Sequence, residues 1–492
     1  MKRIEKLEKI QSFCSDRLTR GISHERLQEF LEKDKNLQEA VDRAYSIHCN
    51  LQEEYSSLLS LPEIDQIKEI QKDYVNFYDS NTINPYVALS AQGPWIVSSC
   101  GAVIHDSGGY GMLGLGHNPA KIVATLANDQ VMANIMTANL SQKIFVQALK
   151  QEIGKNRSAT VSEPFHKFLC LNSGSEAVTV ASRISDLNTL KELQGSPRKQ
   201  AKFLALQGSF HGRTDRPAQF SDSCLKIYKE HLHSFHFREN LITVEPNNCL
   251  ALEEVFEKAA ADDVFLEAMI MEPVMGEGDP GKAISPEFYK LARALTKKSK
   301  TLLIVDSIQA GIRAHGCLSL VDYPGFESLD PPDMEAYSKA LNAGQYPLSI
   351  LALNKKSANL YLTGLYGNTM TSNPRALDVA CQVLGQLDDN LAKNIRDKGK
   401  EFLNRLEQLK SEFPNIVTTV QGTGLLFSMG INKDKISVVG EKGLELSLRY
   451  KGLGVIHGGT NSLRFTPHFA IKTQEVDLML DLLREGLLEA TA

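Results

Sequence analysis

The sequence predicts an α/β protein: a large domain on a mainly parallel sheet, a smaller α+β domain, and an N-terminal helical extension. Three observations predict this. From Trp95 onward, short apolar runs alternate with glycine turns and amphipathic stretches, the strand, loop, helix order that builds parallel sheets. Residues 1 to about 80 instead carry apolar positions at helical spacing. After Pro374, helical and strand-like segments mix without that regular alternation. The expected boundaries are 1–95 for the extension with part of the small domain, 96–385 for the large domain and 386–492 for the C-terminal small domain.

A chain of 492 residues has room for two or three domains and a large core. A net charge of −5 and a pI near 6.2 give no global attraction to nucleic acid or to an anionic membrane, so neither is an expected partner. Any phosphate group must be held locally, and small polar substrates are the default. The N-terminus leads into charged helix and no apolar run approaches membrane-spanning length, which reads as cytoplasmic. Eight scattered cysteines without a C-x-x-C pair read as reduced, mostly buried fillers. His231, His233 and His236 have no Cys or carboxylate at ligand spacing, so no metal is expected.

In chain order, Leu37, Val41, Ala44, His48, Leu51, Tyr55 and Leu58 mark one helical face, with His48 as packing. Leu61-Pro62-Glu63 restarts a helix whose apolar face is Ile64, Ile67, Tyr74 and Phe77. Asn118-Pro119 starts another. Strands are expected at 102–105, 167–171, 201–206, 268–271 and 302–306. A long helix is expected from Asp378 to Phe413, stopped by Pro414, then strands near 416–420, 424–429, 455 and 463–465, a helix near 440–450 and a last helix from Thr473.

Two glycine patterns imitate nucleotide loops. Gly109 to Gly114 and Gly276 to Gly281 have dinucleotide spacing, and the second continues into Lys282. Ala283 stands where a P-loop needs Ser or Thr, and the next helix begins only at Ser285-Pro286. The first lacks both an adjoining helix start and a partner acid, so neither reads as a nucleotide site.

Five segments each read as a loop on the ligand-binding edge of an open α/β sheet. Asn172 to Ala177 puts small residues at a helix start, where N–H groups can hold a phosphate dianion. Gly208 to Thr214 offers Phe210 as a flat face for an aromatic ring. Glu272 to Gly278 places two carboxylates after a strand, a weak signal alone. Asp306 ends a hydrophobic strand, where an acid needs a cation such as a protonated pyridine nitrogen, and Ile308 can pack on the ring face opposite Phe210. Lys339, between small residues after Pro331-Pro332-Asp333, can present a partly desolvated amine to an aldehyde.

Asn172 to Ala177, Phe210-His211-Gly212-Arg213-Thr214, Glu272-Pro273, Asp306-x-x-Gln309, Ser338-Lys339-Ala340 and Thr369-x-x-x-Asn373-Pro374 together resemble the ordered motifs of class III aminotransferases, pyridoxal-phosphate enzymes of fold type I. The resemblance runs from about Gly101 to Thr473 and implies a mainly parallel seven-stranded sheet with pyridoxal 5'-phosphate as cofactor. It implies Lys339 as the Schiff-base lysine and proton shuttle, and Asp306 as the acid that keeps the pyridine nitrogen protonated. Gly174 and Ser175 would bind the phosphate, Phe210 and Ile308 would sandwich the ring with His211 beside it, and Gln309 would face the phenolic oxygen. Thr369 would reach the phosphate of a neighbouring subunit, which implies a homodimer with shared sites. Arg464 resembles the arginine that grips a substrate carboxylate, and Glu277 the glutamate that pairs with it when the donor presents a distal amine.

Ser307 stands where the family carries an acid, Met370-Thr371-Ser372 replaces a more aromatic, glycine-rich run, and Ser98 to Tyr110 lacks the usual acidic turn. The expected activity is ping-pong transfer of an amino group from an amino acid or an ω-amino or diamino donor to a 2-oxo acid. The alternatives are an aminomutase or racemase on the same scaffold, or a non-catalytic relative that binds cofactor or partners.

Overall fold

A computed structural model describes residues 1–108, 111–158, 163–194 and 200–491. Gly109 and Tyr110, part of the first glycine pattern and of the 98–110 turn, lie outside the described residues. The chain divides into two compact units, Met1–Ala120 with Asp397–Gln421 and Phe427–Ala492, and Lys121–Arg396 with Gly422–Leu426.

In the first unit, β1 (Ala88–Gln92), β2 (Trp95–Ser98) and β3 (Val103–Asp106) form an antiparallel meander, and β3 pairs in parallel with a short C-terminal strand at Leu453–Gly454. That pairing joins residues far apart in sequence within this unit. The N-terminal helices cover this sheet. In helix Lys35–Glu54 the buried face is Leu37, Ala40, Val41, Ala44 and His48, the first part of the expected stripe, and His48 packs edge-on against Phe13. The helix ends before Tyr55, which is exposed, and Leu51 and Leu58 are only partly buried.

Helix Glu63–Gln71 inverts its expected face and ends before Tyr74 and Phe77, two of the residues expected on it. Ile64 is 43% exposed, Tyr74 78% and Phe77 83%, while Glu63 and Gln66 are buried. The polar pair is inside because it satisfies backbone: Glu63 accepts from Thr19 N at 2.7 Å, and Gln66 donates to the carbonyls of Leu59 and Leu61 and accepts from Ser99 Oγ. Beside Gln66, Cys14 and Cys100 form a disulfide that ties the first helix region to the β2–β3 turn, so these two are not the reduced fillers their scatter suggests. Spacing cannot show a pairing across 86 residues.

Asp378 to Phe413 is two helices, Pro374–Leu384 and Asp389–Glu412, separated at Gly385. Among the described residues no helix is long and apolar enough to cross a membrane.

The second unit is organised by a seven-stranded sheet. Its strands are β4 (Lys167–Leu171), β5 (Gln200–Leu206), β6 (Leu241–Val244), β7 (Val264–Met271), β8 (Leu302–Asp306), β9 (Met334–Tyr337) and β10 (Ser349–Leu353), in the order β4-β10-β9-β8-β7-β5-β6. Neighbours pair in parallel except β10, which is antiparallel to both β9 and β4, so the other six strands run in one direction. β6, β9 and β10, of four or five residues, are not among the strands expected from the sequence. Leu204, Met269, Val305 and Leu303 face one apolar layer, and Ala205, Ile270, Ile304 and Met334 face the other. Six aligned strands deliver the loops after β4, β5, β7, β8 and β9 to one edge.

In the first unit, His105 on β3 and His468 each contact Glu475 Oε1 through Nε2, at 3.1 and 2.7 Å, while Lys472 N donates to Oε2 at 2.8 Å. Hydrogen bonds among the three side chains satisfy this buried hub, which brings ligand-type atoms within 4.8 Å of one another and has no counterpart in the sequence reading. Burial alone would raise the Glu475 carboxyl, but the two imidazoles hold it well below its ordinary value of 4.5. A depressed carboxyl stabilises the fold above its unfolded value, and this contribution is lost as pH falls below about 4.5. Glu475→Ala is expected to cost about 3 kcal/mol at pH 7 and to flatten acid sensitivity, measured by denaturant unfolding at pH 7 and pH 4. For the disulfide, non-reducing peptide mapping is expected to join the Cys14 and Cys100 peptides. Replacing both by Ser should cost about 4 kcal/mol by freeing an 86-residue loop in the unfolded chain.

Candidate active site

Helix Gly174–Glu192 follows β4 directly and begins with a capping box. Ser173 Oγ accepts from Glu176 N, and Glu176 Oε2 accepts from Asn172 N at 2.7 Å and Ser173 N at 3.2 Å. Glu176 Oε1 also accepts from Tyr366 OH and Asn368 Nδ2, contacts that no spacing rule indicates. The first turn presents Gly174 and Ser175 to a cleft of about 620 Å³. A side chain at 174 would press on Ile308, with its Cβ 2.7 Å from Cδ1, so glycine is required by the close approach of the loop after β8.

The loop after β5 brings Phe210 and His211 into the same cleft, with the Arg213 guanidinium 5.6 Å from the centre of the Phe210 ring. Phe210 N donates to Glu272 Oε2 at 3.0 Å and Gly276 N donates to Glu272 Oε1 at 2.9 Å. Glu272 therefore staples the loops after β5 and β7. It is buried rather than a surface carboxylate, and burial together with nearby Asp306 pushes it up to about 7 against the opposing influence of His211.

Asp306 ends β8 and is 3% exposed. Its Oδ2 lies 2.8 Å from His211 Nδ1, and its Oδ1 accepts from Ile308 N at 3.1 Å. A lone carboxylate at this depth would be destabilising, so the imidazole partner is what allows an acid here. On the far side of the imidazole, His211 Nε2 is buried without a partner among the described residues, as is Nε2 of Gln309.

Lys339 follows β9 and opens a short 3-10 turn with φ +46°. This left-handed backbone, uncommon for a side-chain residue, is held by Ser338 Oγ and Asn342 Nδ2, which both donate to Leu348 O. Upstream, Asp333 accepts from Arg293 Nη1 at 2.7 Å and Leu303 N at 2.9 Å, locking the start of β9 against β8. The Lys339 ammonium donates to Gln309 Oε1.

The cleft thus gathers Gly174, Ser175, Phe210, His211, Asp306, Ile308, Gln309, Lys339 and Glu277 from five loops of one unit. Thr369 is exposed and outside its lining, with its carbonyl accepting from Asn134 Nδ2. Arg464 belongs to the other unit, buried on the strand Ser462–Phe465. Sequence reasoning missed the staple of Glu272 and the buried Glu335 on β9. Glu335 carries no signal like that of Asp306 at the end of an apolar strand, because Asp333 stands two residues before it and breaks the apolar run.

A seven-stranded sheet carrying a lysine, an acid at a strand end and a small-residue helix start on one edge defines a cofactor-dependent α/β enzyme class. The profile of the family Aminotransferase class-III matches residues 77–487, and the chain belongs to this family. It is a pyridoxal-phosphate-dependent aminotransferase. It is 28% identical to an ornithine aminotransferase of Emericella nidulans over 417 residues, covering 82% of this chain and 86% of the relative. With an acetylornithine aminotransferase of Prochlorococcus marinus it shares 26% identity over 79% of this chain and 88% of that one. Among solved structures, the ornithine aminotransferase of Toxoplasma gondii superposes with a TM-score of 0.74 at 22% identity, covering 89% of this chain and 97% of that one, a likeness of fold. An acetylornithine aminotransferase from Elizabethkingia anophelis superposes with a TM-score of 0.69 at 26% identity, covering 87% and 99%.

The donor set suits the cofactor. A helix start with small residues fits a phosphate, the apolar side chains of Phe210 and Ile308 line the same cleft, and His211 and Gln309, whose Nε2 atoms have no partner among the described residues, line it too. Gly212 has φ +113°, and a Cβ there would overlap Ser175 Oγ. Gly212→Ala is therefore expected to weaken cofactor binding at least about tenfold, read by equilibrium titration of the apoenzyme with pyridoxal phosphate.

Proposed function

We propose that this aminotransferase moves an amino group from an ω-amino or diamino donor to a 2-oxo acid in two half-reactions. The observation that carries the reading is the convergence of Lys339, Asp306 and the Gly174-Ser175 helix start on one cleft, with the carboxylate of Glu277 on its wall. The relatives named for ornithine, a diamino acid, support a donor with a distal amine.

When bound, pyridoxal phosphate supplies an aldehyde carbon for amines and a protonated ring that accepts the electron pair released at the substrate carbon. The chain's own groups do the rest. The Lys339 amine would hold the cofactor and, once free, would take and return the proton at the substrate carbon. Gln309 orients that amine through the Lys339 contact. Asp306, itself oriented by His211, keeps a proton on the ring nitrogen. Gly174 and Ser175 hold the phosphate at the helix start. Arg464 is assigned to the substrate carboxylate, and Glu277 to the acceptance of donors with a distal amine.

The working form is a homodimer. Val131, Ile135, Met136 and Leu140 form an exposed apolar run in the second unit, and Met136 is 89% exposed, which fits coverage by a second copy. Thr369, exposed and outside the cleft lining, is assigned to the phosphate of the partner's site.

Purified protein is expected to be yellow, to lose that absorbance in Lys339→Ala, and to be bleached by diamines in the absence of any 2-oxo acid. Bleaching by none of a broad amine panel would remove the catalytic reading. Asp306→Asn is expected to lower turnover about a thousandfold or more while cofactor remains bound, measured in single half-reactions. Glu277→Ala should shift preference from diamino toward α-amino donors. In sedimentation the protein should run as a dimer, and mixing inactive Lys339→Ala with inactive Thr369→Ala chains should restore part of the activity.

A further inference from the structure

Glu335 is an ionisable side chain in the centre of the sheet. It lies on β9, between β8, where it aligns with Val305, and β10, where it aligns with Ala352, and it has no exposed surface. Met334 and Ala336 point into one apolar layer, and the alternation of the strand sends Glu335 toward the other, beside Leu320, Cys317 and Tyr323. An acid here is costly unless its oxygens are fully used.

They are used by three neutral donors from two different segments. Ser307 Oγ donates to Oε1 at 2.5 Å, Leu320 N donates to the same oxygen at 2.9 Å, and Ser319 Oγ donates to Oε2 at 2.6 Å. Ser307 is the residue between Asp306 and Ile308, and its own N–H donates to Ala336 O at 3.0 Å while its carbonyl accepts from Gly311 N at 2.8 Å. Ser307 is thereby held on both sides, by the backbone of β9 and by the carboxyl of Glu335. The loop so pinned carries Asp306, Ile308 and Gln309, and β9 itself runs into Lys339.

We propose that Glu335 is a positioning residue of the active site: through Ser307 it fixes the Asp306–Gln309 loop relative to β9, and so sets Asp306 and Gln309 against Lys339. This rests on the cofactor roles given above to those three residues. Ser319 and Leu320 anchor the clamp from the opposite side, so the loop is fixed to a rigid layer rather than to a mobile surface. Burial pushes Glu335 up to about 7, with the hydrogen bonds from Ser307, Ser319 and Leu320 opposing it. Tyr289, Tyr323, Tyr337 and Cys317 face it, with Asp322 beyond Tyr337. A carboxyl raised in this way contributes most to stability below its unfolded value near 4.5, and the contribution declines as pH rises through 7.

The test compares holoenzymes of the wild type, Ser307→Ala, Glu335→Ala and Glu335→Gln. The readouts are cofactor dissociation constant, the pH midpoint of the absorbance of Lys339-bound cofactor, and apoenzyme thermal stability. Ser307→Ala removes one hydroxyl and is expected to weaken cofactor binding about tenfold and to move the absorbance midpoint, with apoenzyme stability nearly unchanged. Glu335→Ala should do both more strongly and also lower stability. Glu335→Gln keeps an acceptor for Ser307 and Leu320 and an amide for Ser319, so it should restore affinity to within about threefold and abolish any change in affinity centred near pH 7. Wild-type affinity and midpoint in Ser307→Ala and in whatever Glu335→Ala folds would overturn the proposal, leaving Glu335 a stability residue only. If the wild type itself shows no absorbance that Lys339→Ala abolishes, the cofactor reading fails instead, a result visible before any Glu335 variant is compared.

Discussion

The common direction of six strands is the constraint on which the active site depends. Because β4 to β9 all run the same way, the segments that leave them are forced to one edge, and residues scattered from Gly174 to Lys339 meet in one cleft. β10 returns antiparallel between β4 and β9 and closes the order without contributing a cleft loop. Reversing any one of the six would carry its loop to the opposite edge, which is why motifs that are weak alone gain force from the sheet beneath them.

Within that frame, buried carboxylates act as fasteners. Glu272 joins the loops after β5 and β7, Asp333 locks β9 to β8 through Arg293 and Leu303, and Asp306 is matched to His211. Each is affordable because its oxygens meet donors in fixed geometry, and removing such a partner typically costs about 3–5 kcal/mol. The same logic operates in the first unit, where Glu475 gathers two histidines. Rigid fastening matters for catalysis because proton transfer and ring protonation depend on placements of a few tenths of an ångström.

Much of the catalytic edge was legible from residue types. Asp306 at the end of an apolar strand, Lys339 among small residues and a capped small-residue helix start each carry a local physical signature. The inverted face of helix Glu63–Gln71 was not legible, because Glu63 and Gln66 are buried where they meet Thr19 N and Ser99 Oγ, which are distant in sequence, and the nearby carbonyls of Leu59 and Leu61. The break at Gly385 was hidden by continuous helical periodicity on both sides. Glu272 looked like a surface carboxylate because its partners, Phe210 N and Gly276 N, are backbone atoms without a side-chain signature.

By itself the sequence determined the fold class, the strands β4, β5, β7 and β8 of the large sheet, and the residue types capable of chemistry, because these follow from local periodicity and from the character of single side chains. Only the tertiary structure decided which groups meet: Asp306 with His211, Lys339 with Gln309, Ser307 with Glu335, and Cys14 with Cys100. Those pairings join segments between 28 and 95 residues apart, and a contact over such a distance is set by strand order and register, which no local pattern encodes.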